Sequence, residues 1–193
     1  DSKWRIGLIN ALGTRRAKSA IQPVANALSD ADPKVAAAAA TALSNIGGQE
    51  GVAALAGVFN MPVSPLYMKA SQGMIDIAQE MLRRNDVAGA AEIYTALYEG
   101  ATKFARENPD ANPFSIRAAG VTGMIACDPE GSSARIPELM RDKDPKVRAA
   151  VVQAARHVSS KTPVRTLTSL LADLDPQSQI QVLGLIGDRG DLS

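Results

Sequence analysis

An all-α solenoid built from short, stacked helix pairs is the fold this sequence predicts. Three observations predict it. One turn phrase recurs at near-constant spacing, a stripe of small apolar residues follows most recurrences, and the composition favours helix. Apolar residues make up 46% of the 193, but aromatics only 4%. Ala, Leu, Met, Lys, Arg and Gln are good helix formers. A sheet protein would need more β-branched and aromatic residues.

The phrase reads Asp30-Ala31-Asp32-Pro33, then Asp142-Lys143-Asp144-Pro145, then Asp173-Leu174-Asp175-Pro176. Asp110-Ala111-Asn112-Pro113 is a close variant, and Ser64-Pro65 keeps the second half. An Asp, Asn or Ser oxygen caps the first free N–H groups of a helix. Proline suits the first helical position, where its missing N–H would have no partner. Each phrase therefore starts a helix, and the acidic residue two positions earlier closes the preceding turn. The starts fall at 32, 64, 112, 144 and 175, so the steps are 32, 48, 32 and 31 residues. A further step back reaches Asp1, whose Ser2-Lys3-Trp4 parallels Pro33-Lys34-Val35.

The elements follow in order. Ile21, Val24, Ala25 and Leu28 mark a helix from Ala17 to Ser29. Val35, Ala38, Ala39, Ala42, Leu43 and Ile46 share one helical face, closed by Gly47-Gly48. Val52 to Phe59 fills the next first-helix place. The long step holds helices at about Pro65 to Arg84 and Asp86 to Asn108. Ile116, Ala119, Gly120, Gly123 and Met124 repeat the small-residue face with a one-residue slip. Gly131 to Arg141 and Val164 to Leu171 are first helices, the second opened by Thr162-Pro163. Val147, Ala150, Val151, Ala154, Ala155 and Val158 form the face between them. Gly187 is the expected cap of the last helix, since glycine tolerates the left-handed conformation there. The expected units are 1–31, 32–63, a long 64–111, 112–143, 144–174 and a partial 175–193. They make about eleven helices in one continuous stack over 1–193.

Asp144-Pro145-Lys146-Val147-Arg148-Ala149-Ala150 and Asp32-Pro33-Lys34-Val35-Ala36-Ala37-Ala38 resemble the second-helix opening of the HEAT-repeat superfamily. Pro23 and Pro137 resemble the proline that bends the first helix of such pairs. The period is shorter than that of long HEAT or armadillo units. It is similar to compact bacterial HEAT-like repeats, phycobilin-lyase relatives among them. Residues 78–94 resemble a tetratricopeptide hairpin. The resemblance implies a right-handed α–α superhelix with second helices on the concave face. It also implies a bacterial, often envelope or periplasmic, setting. Both ends read as interior repeat positions, so a fragment of a longer array, with further repeats as partners, is expected.

Chemistry is sparse. His157 and Cys127 are the only residues of their types, which excludes multi-histidine and multi-cysteine metal sites. The iron-binding HEAT hydroxylases need several histidines, so that activity is rejected. No phosphate loop, zinc spacing or Ser/His/Asp set occurs. His157 reads as a helix-end residue and Cys127 as a small packed one. Net charge is +1, so no global field gathers nucleic acid. Arg15, Arg16 and Lys18 form one basic cluster and Arg83-Arg84 another, both read as solvated turns. Arg189-Gly190-Asp191 spells an integrin tripeptide but reads as a linking turn. No apolar run is long enough for a membrane helix.

The candidate partner-binding residues are Tyr67, Tyr94, Tyr98 and Phe104 in the long unit, with Lys34, Lys146 and Arg148 at second-helix starts. Aromatics are common anchors of interfaces, although the core of the long pair is the competing use. Lys34, Arg117, Lys146 and Arg148 also fit Asp–Arg ties between units, and Lys3, Lys34 and Lys146 fit an acidic partner. The expectation is a non-catalytic, cofactor-free scaffold that binds another protein and not nucleic acid or membrane. The alternatives are an accessory region of a larger enzyme, or a relative of the HEAT-like lyases or DNA glycosylases.

Overall fold

Asp1, Asp32, Asp144 and Asp175 each cap a helix in the computed structural model, which describes residues 1–111 and 113–190. Asp32 Oδ1 accepts from the Lys34 N–H and Asp144 Oδ1 from the Lys146 N–H, both at 2.9 Å. The earlier aspartate closes the turn as expected. Asp30 Oδ1 accepts the Asp32 N–H and Asp142 Oδ1 the Asp144 N–H, again at 2.9 Å. The expected cap at Asn112 and the last residue of the tripeptide, Asp191, lie outside the described residues.

The packing divides into two compact units, Asp1–Asn112 and Pro113–Ser193. The division coincides with a step in the repeat. The last long helix ends at Glu107, where Asn108 Nδ2 donates back to the Phe104 carbonyl, and Pro113 cannot continue a helix.

Unit 1 holds α1 (Ser2–Thr14), α2 (Ile21–Asn26), α3 (Pro33–Ile46), α4 (Gly48–Ala56), α5 (Leu66–Arg83) and α6 (Val87–Glu107). Single 3₁₀ turns flank α2 and extend α4 to Asn60. The helices α1, α3 and α5 pack in sequence as one layer, and α2, α4 and α6 form the other. Unit 2 holds α7 (Phe114–Cys127), α8 (Pro129–Ser132), α9 (Ile136–Leu139), α10 (Pro145–His157), α11 (Thr162–Ser169) and α12 (Pro176–Arg189). There α7, α10 and α12 make one layer, with α9 and α8 against α11 in the other. Joining each short turn to its helix gives eleven helical runs and no strand among the described residues.

The small-residue faces are the contact surfaces. Val35, Ala39, Ala42 and Leu43 of α3 are essentially sealed, as are Val147, Val151 and Ala155 of α10. Ala38, expected on that face, is only half-buried, while Ala36 and Ala40 are buried because α5 covers a second side of α3. A helix between two neighbours needs two small faces, and a single stripe underestimates it.

Three details differ from expectation. α7 begins at Phe114 with Pro113 in the cap position, which accounts for the slip in its stripe. The start of α11 is served by Ser160, whose Oγ accepts the Thr162 N–H at 3.0 Å, so Thr162 is the first helical residue. The last cap is Gly190, at φ 59°, because α12 runs through Gly187 to Arg189.

Two glycines of α1 make opposite demands. A Cβ on Gly13 would stand 2.7 Å from the Ala42 Cα, so backbone would have to move. A Cβ on Gly7 would meet nothing within 4 Å. Gly13→Ala should lower stability by about 1–3 kcal/mol through overpacking. Gly7→Ala should raise it by up to about 1 kcal/mol, the helix-propensity difference. Urea unfolding of both variants beside the parent checks the signs.

Candidate functional site

The arginine four residues after a helix cap recurs as a tie between successive turns. Arg5 pairs with Asp30, the closing residue of the next turn. Arg117 does the same with Asp142, and both side chains are nearly buried. Arg148 reaches Asp175 at 3.2 Å and also donates to the carbonyl oxygens of Asp142 at 2.6 Å and Lys143 at 3.4 Å. Each of these three rungs joins a helix start to the turn of the following repeat, within one unit. A charge buried this far is stable only with such partners.

The expected binding residues divide on this basis. Arg148 is engaged in its rung and is withdrawn from the candidate surface. Phe104 is sealed at 1% exposure, and Tyr94 and Tyr98 are buried as well. The Phe104 ring is stacked by Tyr67 at 4.8 Å and met edge-on by Phe59 at 6.4 Å. These rings hold α5, α6 and the turn after α4 together, and burial removes Phe104, Tyr94 and Tyr98 from the reach of a partner. Tyr67 is half-buried in that stack. Lys34 and Lys146 are exposed, and the Lys146 ammonium stands 3.8 Å from the Phe114 ring centroid.

The two basic clusters meet. Arg16, Lys18, Arg83 and Arg84 line one cavity of about 380 Å³ in unit 1 together with Asp76, Glu80 and Asp86. Arg83 and Arg84 both bind Glu80, at 2.7 and 2.6 Å. Those hydrogen bonds hold the Glu80 carboxyl below its ordinary value, Arg83 first and Arg84 second. Sequence proximity could not reveal this meeting, because the clusters lie on different helix pairs. Cys127 ends α7, and burial followed by the Asp128 carboxylate pushes its thiol above the ordinary value, away from a reactive thiolate. His157 ends α10, exposed.

A groove that no sequence motif marked lies where a rung is missing. The residue corresponding to Arg148 in α3 is Ala36. The turn it faces reads Met61-Pro62-Val63-Ser64-Pro65, with no carboxylate. Between this turn and the Asp30–Pro33 turn lies a cavity of about 760 Å³, with Leu28, Ala36, Met61, Pro62, Val63 and Leu66 among its walls. The corresponding cavity of unit 2, between the turns at Asp142 and Asp175, contains Arg148 and measures about 330 Å³. Loss of the arginine and of its acceptor together leaves no orphaned charge, only open apolar surface. The signal was present in the sequence as an alanine and a Met-Pro-Val-Ser-Pro stretch at two repeat positions.

Among the described residues, no cluster of His, Cys, Asp and Glu fit to hold a metal ion is found, and no helix is long and apolar enough to cross a membrane. Residues 1–74 match the family model described as HEAT repeats. No curated protein matches the sequence.

The Asp175 cap carries a pH signature. The Ser178 hydroxyl and N–H, with a smaller contribution from Arg148, hold the Asp175 carboxyl below its ordinary 3.8. A lowered carboxylate contributes its full stabilisation above the unfolded value and loses it as pH falls through the folded value. The melting-temperature difference between the parent and Asp175→Asn should therefore be constant near neutrality and shrink below pH 3.8. Thermal melts across the acid range read this directly.

Proposed function

We infer from the chain's relationship to the HEAT-repeat superfamily that it is a non-catalytic scaffold for protein–protein interaction. HEAT repeats generally mediate such contacts. Stacked helix pairs bury their own core and leave long side-chain surfaces for partners. The observation that carries the reading is the apolar groove of about 760 Å³ in unit 1. Its size suits a bound side-chain cluster. Val63 on its wall is 53% exposed. An apolar groove with an exposed side chain on its wall is the kind of surface that marks interaction sites on folded proteins. The nucleic-acid alternative gains little from the basic residues, since Arg83 and Arg84 are committed to Glu80.

The test is quantitative co-purification from lysate of the native host. Val63→Glu should reduce recovery of partner proteins by about tenfold or more, the size of an interface hot-spot loss. Arg165→Glu, at an exposed position of α11 in unit 2, should leave recovery unchanged. Equal recovery with both variants, or recovery of nucleic acid in place of protein, would contradict the scaffold reading through this surface.

A further inference from the structure

We propose that the groove beside Ala36 binds an apolar peptide segment carrying carboxylates, supplied by a partner protein. This inference rests on the scaffold reading and names the chemistry of the partner.

The groove lacks the arginine that fills its counterpart. In unit 2 the corresponding space is filled from within by the Arg148 side chain, which satisfies the turn carbonyls and Asp175. In unit 1 the filling side chain is reduced to the methyl of Ala36, and the facing acceptor to Ser64. The space is open to a side chain from outside. The walls dictate that it be apolar. Leu28, Ala36, Met61 and Leu66 offer hydrocarbon and thioether surface, and Met61 can adjust to different shapes. Pro62 and Pro65 have no N–H, so those two residues give the ligand no backbone donor. Recognition here is by side-chain insertion.

Charge at the rim sets the second requirement. Asp30 is the one carboxylate lining the groove, and it already accepts from the Asp32 N–H and pairs with Arg5. Lys69 also lines the groove and makes no ion pair among the described residues. It occupies the position four residues after the Pro65 cap, where other helices carry the rung arginine. Lys34, beyond Pro33, does not line the groove, and its charge faces its own cap carboxylate Asp32. The uncommitted charge lining the groove is thus the Lys69 ammonium. An incoming segment gains from carboxylates flanking its apolar residues, and a cationic segment is repelled. Complementary charge of this kind selects partners more than it adds raw affinity.

The experiment uses the full chain and three fluorescein-labelled short peptides: one alternating leucine with glutamate, its glutamine twin and its lysine twin. Fluorescence anisotropy should rank them glutamate, glutamine, lysine, the first two differing by about two- to fivefold, as a surface ion pair allows. Lys69→Ala should erase the preference for glutamate over glutamine and leave binding of the glutamine twin intact. Ala36→Arg combined with Ser64→Asp rebuilds the rung and should abolish binding of all three peptides. Its thermal melt should match or exceed that of the parent, and Val63→Glu serves as a second groove variant if it does not. Equal binding of the glutamate and glutamine peptides, unaffected by Lys69→Ala, would overturn the acidic chemistry while leaving the scaffold reading standing. No binding by any peptide, with Val63-dependent capture of proteins retained, would overturn the peptide-in-groove inference alone. Failure of both experiments would remove the scaffold reading with it.

Discussion

Two carboxylates and a proline in one short turn organise this molecule. In Asp30-Ala31-Asp32-Pro33 the first aspartate holds the N–H of the second, and the second caps the next helix. The proline fixes the backbone at the helix start without wasting a donor. The turn therefore has one conformation, and its carboxylate stands in one place. That fixed target is what lets an arginine from the preceding repeat reach across at Arg5, Arg117 and Arg148. A cap contributes on the order of 1 kcal/mol. Its larger effect is geometric, because register between successive helix pairs follows from it. The small-residue faces can then meet closely, as Gly13 does against Ala42.

Local chemistry was legible in the sequence for this reason. Caps, prolines and helical stripes are short-range features, and they located the helix starts at Ser2, Pro33, Pro145 and Pro176 and the long pair α5–α6 to within a residue. Features that depend on a second element were not legible. Amphipathic spacing shows that Tyr94, Tyr98 and Phe104 share a side of α6, but not that α5 and the turn after α4 close over it. Arg148 and Lys146 look alike as cations at a helix start. Only the position of the next turn separates the one that is engaged from the one that remains exposed. The meeting of Arg16 and Lys18 with Arg83 and Arg84 is likewise a product of stacking.

The groove is the instructive case between these limits. Ala36 reads as one more small residue until the role of Arg148 is known. It then reads as the absence of a rung, matched by the absence of a carboxylate in the facing turn. Such paired loss avoids the cost of a stranded charge, which for a buried partner amounts to several kcal/mol. A repeat architecture tolerates the loss because neighbouring contacts carry the stack. What remains is a surface with apolar walls and the Lys69 ammonium at its edge.

Amide hydrogen exchange, resolved to single residues, tests this account most directly. The helix-start amides of Lys34 and Lys146 are held by aspartates at 2.9 Å, and arginines from the preceding repeat engage the turns before them. The Leu66 amide has only the Ser64 hydroxyl at 3.4 Å, beside the groove where the rung is missing. Leu66 should exchange about tenfold or more faster than Lys34 and Lys146, after correction for intrinsic rates, as expected of a locally weaker element. Equal protection of the three amides would contradict the claim that carboxylate turns and arginine rungs hold successive repeats in register.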